Sequence, residues 1–428
     1  LDSWVGVHHL EKYGHPSEFG YHDFVPLFTA EHFDAEEWAE LFRKAGAKFA
    51  GPVAEHHDGF SMWDSEQTPW NAMDKGPKQD ITGELAKALR ARDMKLITTF
   101  HHARNLQRHA SEKDENGRDY WNSHYPFYEG MPPSSDDPEL SILYGNMPEE
   151  KFLEEIWFGK LKEVIDNYQP DIIWFDSWLD QIPEAYRQKF SAYYLNEAQK
   201  WDKEVVIVRK QDDLPLNYSV DDLEKSRKNK LEKDSWMTDE TISYGSWCYT
   251  ENLKIKPAKD VIHVLADIVS KNGVLLLNVS PKSDGTIPED QREVLLSMGS
   301  WLDSYGEAIY GSRPWYTFGE GPTKVPEGHF QNHREFEKLT YTNKDIRYTT
   351  QGDIVYAIQF GAQEAGTTLS LEAFDPALYK VKKVSVPGVK GKVDFEQDAS
   401  GLHIVTPEGQ DPHAPVYKVV TKKLNQEL

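Results

Sequence analysis

Five short apolar runs recur through the first 280 residues of the chain: "AKFAGPVA" (47–54), "MKLITTF" (94–100), "DIIWF" (171–175), "EVVIV" (204–208) and "GVLLLNV" (273–279). Their apolar character is continuous rather than alternating, which marks strands of a parallel sheet covered on both faces. The stretches between them carry helical signals. "DAEEWAELFRKAG" opens with Asp34 as an N-cap, has Glu37 three residues on and stops at Gly46. In "KFLEEIWFGKLKEVIDNY" the residues Leu153, Trp157, Leu161, Val164 and Tyr168 share one helical face and read as a core stripe. Strand, helix, strand repeated over some 300 residues leaves two architectures, an open doubly wound sheet or a (β/α)₈ barrel. No G-x-G-x-x-G follows any of the strands, so the dinucleotide-binding sheet loses its main support and the barrel is expected.

Beyond "YGEAIYGSRPW" the pattern changes to short β-rich runs separated by Gly, Pro and Asp turns: "DIVYAIQF", "TTLSLEAF", "KVKKVSV", "KVDFE", "LHIVT" and "YKVVTKK". That spacing predicts an antiparallel β-sandwich. The expected division is a catalytic barrel over 1–315 and a sandwich domain over 316–428. The segment "DDLEKSRKNKLEKD" is charged but mixed in sign and is expected to be solvated.

Composition narrows the function. The chain carries a formal charge of −23, which disfavours nucleic acid and anionic lipid as partners. No apolar run approaches a membrane span. A single cysteine, Cys248, excludes an internal disulfide framework. The chain begins at Leu1, from which a removed signal segment and a secreted or periplasmic location are expected.

In a barrel the chemistry gathers at the strand C-termini, and titratable groups stand there. The first strand runs into Glu55, His56, His57 and Asp58; the second into His101, His102 and Arg104; the third delivers Asp176 and the fourth Arg209. The histidine pairs with Glu55 and Asp58 could hold zinc or a similar ion, since imidazole and carboxylate suit it. Adjacent histidines on a strand point to opposite faces, which opposes that reading.

The segments "EHHDGF", "KGPKQDITGELAKALRARDMKL", "PDIIWFDSW", "SYGSWCY" and above all "IVSKNGVLLLNVSPKSDGTIPEDQREVLLSMGSWLDSYGEAIYGSRPW" resemble the retaining α-L-fucosidases of glycoside hydrolase family 29. The resemblance spans roughly residues 28–315. It implies a (β/α)₈-like (TIM) barrel with a β-sandwich behind it, exo-acting cleavage of α-L-fucosides on a fucosylated oligosaccharide or polysaccharide, and no metal or organic cofactor. It also implies Asp176 as nucleophile and His56, His57, Trp174, Arg209 and Trp247 as substrate-binding residues; Glu55, His101 and His102 are expected beside them from their places at the strand ends. The acid/base is expected at Glu224, whose spacing before Trp236 resembles that of the acid/base glutamate in some family members, with Glu240, close to where other members carry theirs, as the alternative. Family members open with an "HWG" strand that this sequence lacks, so the barrel is expected without its first strand. "TFHHARN" stands where the family commonly has a Tyr-Tyr-Ser type sequence, so His101, His102 and Arg104 are expected to remodel the pocket, to reach a leaving-group sugar, including a charged one, or equally only to pack. Two other functions compete: a metal-dependent barrel hydrolase, and a fucose-binding protein without turnover.

Overall fold

The computed structural model describes residues 4–106, 137–328 and 333–424. The chain forms two compact units: Leu1–Arg43, Ala47–Val220 and Pro281–Thr286 make the first, and Lys44–Gly46, Asp221–Ser280 and Ile287–Leu428 the second.

In the first unit the parallel strands are β1 (Phe49–Ala50), β2 (Val53–Glu55), β3 (Lys95–Phe100), β4 (Ile172–Phe175) and β5 (Val206–Arg209). β1 and β2 both pair with β3, at Phe49↔Lys95 and Val53↔Thr99, so they are one strand interrupted at Gly51 and Pro52. A Cβ at Gly51 would stand 1.7 Å from the Ile97 carbonyl oxygen, and only glycine permits that approach. The helices Ala35–Lys44, Ile81–Arg90, Gly159–Tyr168 and Glu184–Lys200 alternate with these strands. Asp34 caps the first, accepting the backbone N–H groups of Glu36 and Glu37, and Asp80 caps the second by accepting that of Gly83. The stripe from Leu153 to Tyr168 is buried as expected. Its first turns, Phe152–Phe158, are a π-helix rather than an α-helix, and the Trp157 carbonyl accepts a hydrogen bond from His102 at 3.0 Å.

The second unit continues the parallel order. β6 (Val220–Asp222), whose first residue closes the preceding unit, pairs in parallel with β7 (Trp236–Thr241), and β7 pairs with β8 (Gly273–Asn278) over six residues. The helices Ala258–Ser270 and Glu289–Tyr305 lie before and after β8. Counting β1 and β2 once, there are seven parallel strand positions along the chain, and among the described residues no strand precedes Phe49. This is the (β/α)₈-like order without its first strand. The antiparallel strands that follow are β9 (Arg313–Glu320), β10 (Ile346–Gln351), β11 (Ile354–Gln359), β12 (Thr368–Leu371), β13 (Tyr379–Ser385), β14 (Phe395–Asp398), β15 (Gly401–Val405) and β16 (Val416–Lys423). They form a five-stranded sheet, β13-β16-β11-β10-β9, and a three-stranded sheet, β12-β15-β14, around a core that includes Trp315, Tyr348, Leu369, Leu402 and Tyr417.

The segment expected to be a solvated charged stretch is so only in its second half, residues 228–234, which are half-buried or exposed. Asp222, Leu223, Lys225, Ser226 and Arg227 are all buried. Partners in the fold explain the correction: Lys225 donates to the Gly245 carbonyl at 2.8 Å, and the Arg227 guanidinium lies over the Phe336 ring.

Candidate active site

Asp176 sits one residue past β4 and is held there by its own backbone, whose N–H donates to the Phe100 carbonyl at 3.0 Å. Its carboxylate is gripped on both oxygens. His57 donates from Nε2 to Oδ2 at 3.0 Å, and the Lys210 ammonium stands 3.0 Å from Oδ1. Burial alone would push this carboxyl up. Lys210 first, then His101 and His57, outweigh burial and hold it well below the ordinary carboxylate range. Asp176 is therefore an ionised, immobile acceptor at a strand end.

Aromatic rings wall this carboxylate. His56 and His101 stack with centroids 4.2 Å apart, His57 meets His56 edge-on at 4.7 Å, and His101 lies 5.2 Å from Trp174. Desolvation, followed by His57, lowers the pKa of His56, and desolvation followed by His56 lowers that of His101 well below its ordinary value. Neutral imidazoles can donate from one nitrogen and accept at the other. The Trp174 Nε1 and His101 Nδ1 atoms are buried with no hydrogen-bond partner among the described residues. Since the His56 and His101 rings lie face to face, their nitrogens do not converge on one point. Among the described residues no group of three His, Cys, Asp or Glu side chains could hold a metal ion.

Three other expected site residues are engaged by partners within the fold. Glu55 is completely buried, and both its oxygens accept from Lys160 at 2.8 and 2.7 Å while Ser61 donates a further bond at 2.8 Å. It anchors the end of β2 to the helix that carries Lys160. His102 is also completely buried and faces the Trp157 carbonyl, with its pKa lowered to about 3 chiefly by burial. The Arg209 guanidinium is engaged by the loop after β5, at the Gln211 carbonyl and, at 3.1 Å, the Asp212 carboxylate. The cation on Asp176 is its neighbour Lys210, the first residue past β5. Sequence reading passed over Lys210. The signal for it was the dipeptide Arg209-Lys210 at a strand end, which offers two cations there rather than one.

The other candidates belong to the second unit. Glu240, near the end of β7, is buried and accepts from Lys256 Nζ at 2.8 Å and from the Thr241 backbone N–H at 2.8 Å, both through Oε1. Glu224 follows β6 and is half-buried. Between them in charge terms stands Lys225: burial lowers its pKa, while Glu240 and then Glu224 act to raise it. The Lys225 ammonium lies 4.3 Å over the Trp247 ring. Trp247 is pinned from β8, its carbonyl accepting from Asn278 at 2.9 Å and from Ser280 at 2.8 Å.

Comparison with known proteins places this arrangement. The family model for alpha-L-fucosidase matches residues 2–307. Human tissue alpha-L-fucosidase is 30% identical over 96% of this chain and 78% of its own length, and the rat protein is 29% identical over 97% and 80%. The crystal structure of Thermotoga maritima alpha-fucosidase in complex with fucose covers 98% of this chain and 86% of its own at 27% identity, with a TM-score of 0.73. A complex of the same enzyme with a mechanism-based inhibitor gives a TM-score of 0.74. The parallel strands with their strand-end aspartate, the sandwich that follows and these likenesses lead to one conclusion: the chain belongs to the α-L-fucosidase family of glycoside hydrolases.

Proposed function

We propose that this protein removes terminal fucose from fucosylated glycans with retention of configuration, and that Asp176 is the nucleophile. The observation that carries the assignment is the carboxylate itself, ionised by Lys210 and held still by His57 and by its own backbone bond to β3. Asp176 attacks the anomeric carbon as the glycosidic C–O bond breaks, forming a fucosyl-aspartate ester. The acid/base first gives its proton to the leaving oxygen. It then takes one from the water that attacks the same carbon, and two inversions give net retention.

We assign the acid/base role to Glu224. Glu240 already accepts from two donors through one oxygen, a setting suited to a fixed carboxylate rather than to a group that must give up a proton. His56, His57, His101 and Trp174 would meet the sugar hydroxyls, and the buried Trp174 Nε1 and His101 Nδ1 gain partners when they do. Trp247 offers an apolar face to the methyl of a 6-deoxy sugar. Glu55, His102 and Arg209 act from beneath and beside the pocket by holding its strands and loops. In this reading residues 1–315 carry catalysis and 316–428 form the sandwich domain. We place the work outside the cytoplasm, where such glycans are displayed. No helix among the described residues is long and apolar enough to cross a membrane.

Asp176→Ala tests the nucleophile. Turnover of an aryl α-L-fucoside should fall by roughly a thousandfold or more with the fold intact, and azide should restore product of inverted configuration. Full activity in a folded Asp176→Ala protein would remove the assignment. For the acid/base, Glu224→Ala should slow a fucoside with a poor leaving group far more than an activated aryl one, with azide releasing product of retained configuration. If Glu240→Ala shows that pattern instead, the two glutamates exchange roles.

A further inference from the structure

Beside the Asp176 pocket stands a cation that the reaction described above does not use. β3 ends in a short 3₁₀ turn, His102–Arg104, and the Arg104 guanidinium lies 5.1 Å from the centre of the Trp178 ring. Arg104 is half-buried, and its Nε is buried with no hydrogen-bond partner among the described residues. Among the described residues it has no carboxylate in ion-pair contact, although the chain as a whole carries 71 acidic residues against 48 basic ones. In a chain of that charge balance, an arginine with no carboxylate in contact among the described residues is not explained by solubility.

Trp178 is the second unusual feature. Two residues after Asp176, it adopts φ 74° and ψ 20°, the left-handed region that a bulky side chain enters at a cost of about 1–3 kcal/mol. The Gln211 side chain holds it there by accepting its backbone N–H at 2.7 Å. The loop after β5 thus fixes the backbone that carries the indole, and the guanidinium lies against its ring. A planar guanidinium set against an aromatic face keeps its N–H edge available for a planar or tetrahedral oxyanion, which it can bind through two parallel bonds.

Both residues lie past the strand ends and are only half-buried, whereas Trp174 and His57 are buried. An exo-acting enzyme places the fucosyl ring in the inner pocket and the next sugar at its rim. We propose that Arg104 and Trp178 form a rim subsite that stacks the sugar carrying the fucosyl residue and reads an oxyanion on it, a sulfate ester or a carboxylate. This rests on the fucosidase reading of Asp176 and adds the substrate class: fucosides of acidic glycans. Pairing of Lys210 with Asp176 removes most of the repulsion that the nucleophile would otherwise exert on such a group.

The test compares kcat/KM for fucosyl disaccharides whose leaving sugar is neutral, sulfated or a uronate, together with one whose sulfate is on the fucose itself. Wild-type enzyme should favour both acidic leaving sugars over the neutral one by about tenfold or more, the range of a charge-assisted hydrogen bond. Arg104→Ala should abolish that ratio and Arg104→Lys should keep part of it; if Arg104→Ala fails to fold, Arg104→Gln against Arg104→Lys makes the same comparison. Calorimetric binding of the disaccharides to Asp176→Ala reads the preference without turnover, so loss of fucosidase activity and loss of the anion subsite are separate results. Equal losses on all substrates in Arg104→Ala, no preference in the wild type, or preference only for sulfate on the fucose would each overturn the proposal.

Discussion

Asp176 and Lys210 form an ion pair at the mouth of a strand, and the pair fixes how the reaction should respond to acid. Burial raises the carboxyl and Lys210 is the foremost group opposing it. The nucleophile therefore stays ionised as pH falls through the ordinary carboxylate range, and Asp176 does not set the acid limb of kcat/KM in the wild type. Replacing the ammonium by an apolar chain removes the main opposing charge, so the carboxyl pKa rises and the protonated, inactive form appears at higher pH. Lys210→Met should bring this carboxyl into the acid limb of kcat/KM and so move the limb to higher pH, as well as lowering the plateau. A pH profile on an aryl fucoside checks this, and an acid limb that stays in place would show that Lys210 acts only in packing. Arg209→Met should leave the limb where it is, since that guanidinium serves the Gln211–Asp212 loop.

At the scale of elements, strands are joined to helices by buried charges as well as by apolar packing. Glu55 at the end of β2 and Lys160 in the helix Gly159–Tyr168 are both almost wholly buried and meet at 2.7 Å. Removing one partner of such a pair leaves the other charge without compensation, at a cost of about 3–5 kcal/mol. Lys160→Met should lower the thermal midpoint accordingly, while Glu55→Gln with Lys160→Met together should recover much of the loss; equal destabilisation by the single and double variants would contradict the argument. The same elements show what the sequence could and could not disclose. The strands holding β1 to β5 and β8 announced themselves because they are apolar along their length, and Asp176 stood out because it closes such a run. β7 escaped notice. Its residues Thr238, Asp239, Glu240 and Thr241 are polar yet buried, so the strand has no apolar signature. Glu55 and His102 were legible as strand-end polar residues but not as buried anchors, because their partners Lys160 and Trp157 lie 105 and 55 residues away. Lys210 was missed because family likeness drew attention to the arginine one position earlier.

Across the whole molecule, buried histidines tie stability to pH. His102 and His263 have pKa values lowered to about 3 and about 4, in each case chiefly by burial. His263 packs flat on Phe360 and faces the His413 carbonyl at 2.8 Å. In the unfolded chain both titrate near 6.5. The unfolded state therefore takes up protons first as pH falls, and stability is complete above about 6.5 and lost progressively towards 4, by up to about 1.4 kcal/mol per pH unit for each histidine. Urea midpoints measured from pH 7 to pH 4 should fall steadily through that window. His102→Gln, which keeps a donor for the Trp157 carbonyl, should flatten the slope, and an unchanged slope would assign the acid sensitivity to other groups.

The break in the strand formed by β1 and β2 bears on how this sequence can drift. At Gly51 any side chain would collide with the Ile97 carbonyl oxygen, and the only relief is for β2 to move off β3. β2 leads two residues on to His57, whose Nε2 is bonded to the nucleophile, so the displacement is delivered to the reacting carboxylate. A residue with no side chain and no reach to the sugar thereby inherits the mutational intolerance of a catalytic group. A saturation screen scored only by turnover would rank Gly51 beside Asp176, for reasons of backbone clearance alone.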